Sequence, residues 1–177
     1  MRVIAGEHRS RRLRSVPGVA ARPTPDRLRE TLFDILASEI GSATFVDAYA
    51  GTGAVGIEAL SRGAAHCYFL ERSRVALATI RENLSVLQLE SRATVVAGSV
   101  LLTLPQYPAD IVFLDPPYRL DQEYELALNL VGAAPPPLVI VQHDARRKLK
   151  ETYGSLSLQR TIKQGDNVLS FFVPKPV

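Results

Sequence analysis

The sequence predicts an α/β fold, a mainly parallel sheet of seven strands with helices on both faces and a C-terminal antiparallel hairpin. Three observations predict it. Between residues 44 and 141, short apolar or β-branched runs alternate five times with segments of helical spacing or turn signals. The run Ala109-Asp110-Ile111-Val112-Phe113-Leu114 is apolar enough for a strand covered on both sides. Residues 156–162 and 168–173 have no helix between them, only the turn Gln164-Gly165-Asp166-Asn167, so they pair as a hairpin.

Each element has its own signal. Thr24 is the expected N-cap of a first helix, with Pro25 at its first position and Asp26 favouring the positive helix end. Leu28, Leu32, Ile35, Leu36 and Ile40 then share one face. Residues 44–48 form a first strand and Gly51-Thr52-Gly53 a turn. A helix over 54–62 follows, stopped by Gly63. Residues 66–70 make the second strand, and Ser73 caps a helix carrying Val75, Leu77, Ile80, Leu84 and Leu87. Strands at 93–97, 109–114 and 138–141 complete the series, with a helix near 121–132. A single reversed strand near one edge follows from the hairpin. Pro135-Pro136-Pro137 reads as a stiff connection, not a domain linker.

The 177 residues are one ordinary domain, with apolar and charged shares of 46% and 22%, as in a soluble globular protein. The lone Cys67 excludes a disulfide framework and a cysteine-based zinc site, and its apolar setting predicts a buried, inert thiol. His8, His66 and His143 are too scattered to form a ligand set, so no metal is expected. No run approaches the roughly 18 apolar residues of a membrane span, and the first residues lack a signal peptide's apolar centre. The expectation is a cytoplasmic protein with no membrane partner, and nothing in the sequence demands more than a monomer.

The net charge of +3 hides an uneven distribution. Residues 1–29 carry eight arginines against Glu7 and Asp26, so this segment is +6 and the remainder −3. Arginine's planar fork suits phosphate and stacks on bases, and such an arm is the footprint of a nucleic-acid binder. The bland alternative is a solvated tail. Arg9, Arg11, Arg12, Arg14 and Arg22 are the candidate RNA contacts, while of Arg22, Arg27 and Arg29 at least one is expected to be structural. Arg146-Arg147-Lys148 with Lys150 is a second basic cluster that would extend the surface.

Asp115-Pro116-Pro117-Tyr118 closes the strand 109–114, which places its carboxylate where open α/β sheets bind ligands. Two prolines fix the turn. A carboxylate, a rigid carbonyl and an aromatic face suit a planar base with an exocyclic amine. Gly51-Thr52-Gly53-Ala54-Val55-Gly56 satisfies the dinucleotide pattern, and Glu71 stands 20 positions beyond Gly51, as an acid holding ribose hydroxyls would. Asp47 argues against a pyrophosphate, which an adjacent carboxylate repels. S-adenosylmethionine has no phosphate and carries an ammonium and a sulfonium, so an acid there is favourable. Asp47 can equally cap the loop through its backbone N–H groups, and the two roles are compatible.

On these motifs the chain resembles the class I S-adenosylmethionine-dependent methyltransferases, with Asp47-Ala48-Tyr49-Ala50-Gly51-Thr52-Gly53 as the glycine-rich motif and Asp115-Pro116-Pro117-Tyr118 as the amino-methylating signature. Arg2-Val3-Ile4-Ala5-Gly6, Arg11-Arg12-Leu13, Arg22-Pro23-Thr24, residues 27–33 and residues 56–63 narrow the resemblance to the small-subunit (16S) ribosomal RNA guanine-N2 methyltransferases. The resemblance implies a Rossmann-like domain over 24–177 preceded by an RNA-binding arm over 1–23. It implies catalysis by Asp115, Pro116, Pro117 and Tyr118, and cofactor binding by Asp47, Ala48, Tyr49, Gly51, Gly53, Glu71, Arg72, Ser99 and Asp115. The implied substrate is 16S rRNA, free or within a small-subunit particle, and the implied product is S-adenosylhomocysteine. The chain departs from the family where Ser99 stands for an acid, Ser10 for a glycine, Gln142 for a glutamate and Gln164 for a tyrosine. Rival readings are a DNA adenine-N6 or protein glutamine methyltransferase, a non-catalytic RNA-binding assembly factor, and a nicotinamide oxidoreductase.

Overall fold

The computed structural model describes residues 1–19 and 24–177. In chain order it contains α1 (Asp26–Ile35), β1 (Thr44–Ala48), α2 (Ala54–Ser61), β2 (His66–Glu71), α3 (Arg74–Val86), β3 (Ala93–Ala97), α4 (Val100–Thr103), β4 (Ile111–Leu114), α5 (Asp121–Ala133), β5 (Leu138–Asp144), β6 (Thr152–Tyr153), β7 (Leu156–Gln164) and β8 (Asn167–Pro174). The strands form one sheet in the order β3-β2-β1-β4-β5-β8-β7-β6, parallel from β3 to β5 and antiparallel beyond.

The predicted mixed α/β fold is borne out, with eight strands instead of seven. The extra strand, β6, pairs only Thr152 with Ser157 and Tyr153 with Leu156, too short a run to leave an alternation signal. It also gives the sheet a second reversed strand, where one was expected. Thr24 is not the N-cap of α1: Pro25 occupies that position, and the Thr24 hydroxyl donates to Gln142 Oε1 at 3.1 Å. The connection from β3 to β4, for which the sequence offers no element, holds the single turn α4 over Val100–Thr103.

Strand alternation divides the core in two. Phe45, Cys67, Phe69, Ile111 and Phe113 point to the face covered by α1, α2 and α3, where Leu32, Ile57 and Ile80 meet them. Val46, Ala48, Leu70, Val112 and Leu114 point to the face covered by α4 and α5, against Tyr124 and Leu128. The same period puts Asp47 on the α2 side. Helix α2 lies close on β2 because Gly56 has no side chain: a Cβ there would stand 2.4 Å from Phe69 Cε1 and 2.7 Å from Cys67 Sγ. Cys67 is buried and free, and burial pushes its thiol pKa up, so it packs as a small apolar group.

The first residues fold back on themselves and onto the domain. Val3 N–H donates to Arg11 O and Leu13 N–H to Met1 O, which makes a hairpin-like loop with Ser10 at φ 67°. A left-handed φ costs a non-glycine residue about 1–2 kcal/mol, which agrees with the glycine that the resemblance led one to expect in place of Ser10. Val3, Leu13 and Val16 are buried. Glu58 of α2, itself fully buried, accepts Ile4 N–H at 2.9 Å, Ala5 N–H at 3.0 Å and Arg62 Nε at 2.9 Å. Arg29 Nε lies 3.7 Å away, and that guanidinium also meets Asp26 Oδ1 at 3.1 Å and the Arg2 carbonyl. Arg29 is therefore a structural arginine. Burial lowers its pKa, opposed by Glu58 and Asp26.

Glu58→Ala should destabilise the fold by about 3–5 kcal/mol, because Arg29 loses its buried charge partner, keeping only the exposed Asp26, and two backbone N–H groups lose theirs. Denaturant unfolding measures this, and a loss below 1 kcal/mol would remove Glu58 from that role.

Candidate active site

Sheet order reverses at β1 and β4, and the cleft opens beyond their carboxyl ends, the place where such sheets bind ligands. It measures about 390 Å³ and is walled by Tyr49, Gly51, Glu71, Arg72, Ser99 and the whole turn Asp115-Pro116-Pro117-Tyr118. A neighbouring hollow of about 310 Å³ adds Asp47, Thr24 and Met1, and shares Asp115, Tyr49 and Gly51 with the first. The fold thus gathers most of the residues singled out from the sequence. Ala48 and Gly53 line neither hollow. Ala48 is packed in the α5-side core, with its carbonyl accepting Asp115 N–H at 3.4 Å, and Gly53 is buried against Ile80 and Phe69.

Asp47 is 2% exposed, and its Oδ2 accepts the Gly56 N–H at 2.9 Å. The carboxylate thereby ties the end of β1 to the first turn of α2, whose free amides attract negative charge. Burial raises its pKa well above the ordinary carboxyl value of 3.8; the Gly56 bond opposes this, and Asp115 and Glu71 add to it. Glu71 clamps the glycine turn from the other side. Its Oε2 accepts Gly51 N–H at 2.9 Å, and its Oε1 accepts the N–H groups of Arg72 and Ser73, each at 2.8 Å. Its carboxylate has about four lone-pair sites, so one remains for a ligand hydroxyl.

The turn after β4 is braced from below. Tyr124 Oη donates to the Pro116 carbonyl at 2.9 Å, and Arg147 stacks over the Tyr124 ring at 4.1 Å. Arg147 also donates to the Tyr118 carbonyl at 3.3 Å and to Asp121 at 2.6 Å. The Tyr118 hydroxyl donates to Asn167 Oδ1 at 3.2 Å, which ties the turn to β8. Arg147 is therefore largely consumed in holding the turn, and Lys150 pairs with Glu125 at 2.6 Å, so these two members of the second basic cluster serve the fold. Sequence reasoning missed Tyr124 and Glu123. Tyr49, at φ 64°, donates from Oη to Glu123 Oε1 at 2.8 Å across the cleft, with its own pKa raised by burial and by that carboxylate. Glu123 and Tyr124 stand in the first turn of a predicted helix directly after the motif, the one signal that could have found them.

Among the described residues, three carboxylates, Glu71, Asp115 and Glu123, face the larger hollow against a single cation, Arg72. Val16, Ala76 and Val100 supply apolar wall. This donor set fits a cationic, phosphate-free cofactor with hydroxyls and an aromatic ring, and it would repel a pyrophosphate.

Arg9, Arg11, Arg12 and Arg14 are exposed on the folded arm. Arg14 meets Glu82 at 3.1 Å and Arg11 donates to Val86 O at 3.3 Å, whereas Arg9 and Arg12 have no ion pair among the described residues. The proposed contact Arg22 lies outside the described residues. The arm reaches the cleft, since Val16 and Val19 line both hollows.

Strand order and cleft together define a class I methyltransferase fold. A family model described as "Conserved hypothetical protein 95" matches residues 1–173, and the chain belongs to that family. It is 36% identical over 165 residues to "Ribosomal RNA small subunit methyltransferase D" of Escherichia coli (strain K12), across 90% of this chain and 83% of that one. It is 34% identical over 169 residues to "Putative rRNA methyltransferase YlbH" of Bacillus subtilis (strain 168), across 90% and 91%. A solved Escherichia coli structure described as "Putative methyltransferase yhhF" superposes with a TM-score of 0.86 at 34% identity, over 99% of this chain and 98% of that one. The family resemblance read from the motifs is borne out.

Because burial raises the Asp47 pKa, the folded state holds this proton more tightly than the unfolded chain does. Its stabilising contribution is present below the ordinary carboxyl value of 3.8 and is lost as pH rises through the raised one. Asp47→Asn, which keeps an acceptor for Gly56, should flatten that loss and raise the melting temperature at pH 7–8 relative to the parent. Calorimetric scans across pH measure both, and an unchanged pH profile would contradict the assignment.

Proposed function

We propose that this protein transfers a methyl group from S-adenosylmethionine to the exocyclic N2 amine of a guanine in small-subunit (16S) ribosomal RNA. The observation that carries the reading is the braced turn Asp115–Tyr118, which opens on the same cleft as the Glu71-clamped glycine turn. The names of the relatives support a ribosomal RNA substrate, and such a substrate puts the protein in the cytoplasm. No helix among the described residues is long and apolar enough to cross a membrane.

Asp47, Tyr49, Gly51, Glu71, Arg72, Ser99 and Asp115 would hold the cofactor, with Ala48 and Gly53 shaping the backbone beneath it. When bound, S-adenosylmethionine supplies an electrophilic methyl on a sulfonium and is left as S-adenosylhomocysteine. The guanine amine is a poor nucleophile because its lone pair is delocalised into the ring. Asp115 accepts one of its hydrogens. The Pro116 carbonyl, with one lone pair taken by Tyr124, accepts the other through its second. This draws the nitrogen lone pair out of the ring plane toward the methyl group. Tyr118 stacks on the base, which has to leave its own stack to reach the cleft. Holding the reacting atoms about 3–3.5 Å apart supplies much of the rate. Asp115 takes the released proton, directly or through water. No group in this scheme calls for a metal. Arg9, Arg11, Arg12, Arg14 and Arg22 grip phosphates and position the RNA without reading its sequence.

Asp115→Ala should abolish transfer while cofactor affinity stays within a few-fold of the parent. Methylation of 16S rRNA with nucleoside identification by mass spectrometry tests both the base and the residue. N6-methyladenosine as product, or near-normal turnover without the carboxylate, would sink the mechanism.

Replacing Arg11 and Arg12 by Ala should weaken RNA binding and lower the slope of log affinity against log salt by about 1–2. An unchanged slope would take the arm out of the interface.

A further inference from the structure

Asn83, on α3, joins three parts of the molecule that are far apart in sequence. Its side chain is buried, at 3% exposure. Oδ1 accepts the Arg14 N–H at 2.7 Å, and Nδ2 donates back to the Arg14 carbonyl at 3.2 Å, so one carboxamide closes both backbone groups of a single arm residue. Nδ2 also reaches the Thr52 carbonyl at 3.0 Å, inside the glycine turn. A carboxamide has two donor hydrogens and an acceptor, and all three serve this junction. Burying such a group is costly unless its bonds are made, so the arm and the turn have to keep this spacing together.

Both ends of the junction lead to binding surfaces. The Arg14 side chain is 68% exposed while its peptide is anchored inside, so the residue that presents a cation to solvent also delivers its backbone to Asn83. Two residues further on, Val16 walls both hollows. On the other side Thr52 stands between Gly51, whose N–H is held by Glu71, and Gly53. A displacement of the arm therefore strains the bond to the glycine turn, and a displacement of the turn strains the arm.

We propose that Asn83 is a positioning residue through which RNA bound on the arginine arm and cofactor bound at the glycine turn strengthen each other. The proposal rests on the functional reading above. Whichever ligand arrives first fixes the junction, and the second binds to a site already ordered. Linkage makes the effect reciprocal: the same factor appears in either order of addition.

Calorimetry on the full chain with S-adenosylhomocysteine, in the absence and presence of saturating 16S rRNA transcript, reads that factor. The parent should bind S-adenosylhomocysteine about five-fold or more tightly with RNA present. In Asn83→Ala the ratio should fall to near one, with both ligands still binding separately. A role in stability alone would lower the melting temperature and leave the ratio intact. Hydrogen exchange on the parent needs no variant. RNA should slow exchange of the amides at 51–56, and S-adenosylhomocysteine should slow those at 10–16. A parent that binds both ligands with a ratio of one, or shows no reciprocal protection, overturns the coupling alone. Failure to bind either ligand overturns the functional reading beneath it.

Discussion

A buried carboxylate decides where the first third of this chain lies. Glu58 has no contact with solvent, and its two oxygens face two backbone amides and two guanidinium groups. Burying such a group is costly unless every lone pair finds a partner, and here the partners come from three separate stretches: the amino-terminal loop, α1 and α2 itself. Satisfying one acid thus brings the loop down onto α2 and fixes α1 beside it. The buried Val3, Leu13 and Leu28 follow from that placement. So does the route of the chain past the cleft, where Val16 becomes part of the wall.

The cleft repeats the same logic with different partners. Asp47 and Glu71 are spent largely on backbone amides, Gly56 in the first turn of α2 for the one and Gly51, Arg72 and Ser73 for the other, so both acids brace the backbone on either side of the glycine turn. The turn after β4 is locked through Tyr124 and Arg147, neither of which faces the reacting atoms in the proposed chemistry. Most of the polar atoms around the hollow hold geometry, and a few are left to meet the ligand.

Most of the fold was legible in the sequence because it is written in periodic signals. The five parallel strands and the terminal hairpin each carry enough apolar residues to announce themselves, and Gly63 stops α2 as expected. The failures were local. β6 has two residues and no period. Thr24 has the chemistry of a cap, yet a buried glutamine on β5 takes its hydroxyl instead. The site was legible where chemistry concentrates in contiguous motifs, at 47–53 and 115–118. It was not legible where a side chain works at a distance. Glu123 reaches Tyr49 across 74 positions and Asn83 reaches Arg14 across 69, and no spacing rule links them. The arginine-rich start read as a separate arm, because its charges stand out in sequence while the three apolar side chains that pack it do not.

That packing bears on how the amino-terminal segment can be dissected. Val3, Leu13 and Val16 belong to the interior, and burying each contributes about 1.5–3 kcal/mol. A truncation of the first 16 residues would strip these side chains out and leave Glu58 and Ser61 facing water. A lost activity in the shortened protein would then report an opened core and say little about RNA. Charge-reversing replacements on the exposed guanidiniums, with the backbone left whole, separate the two effects.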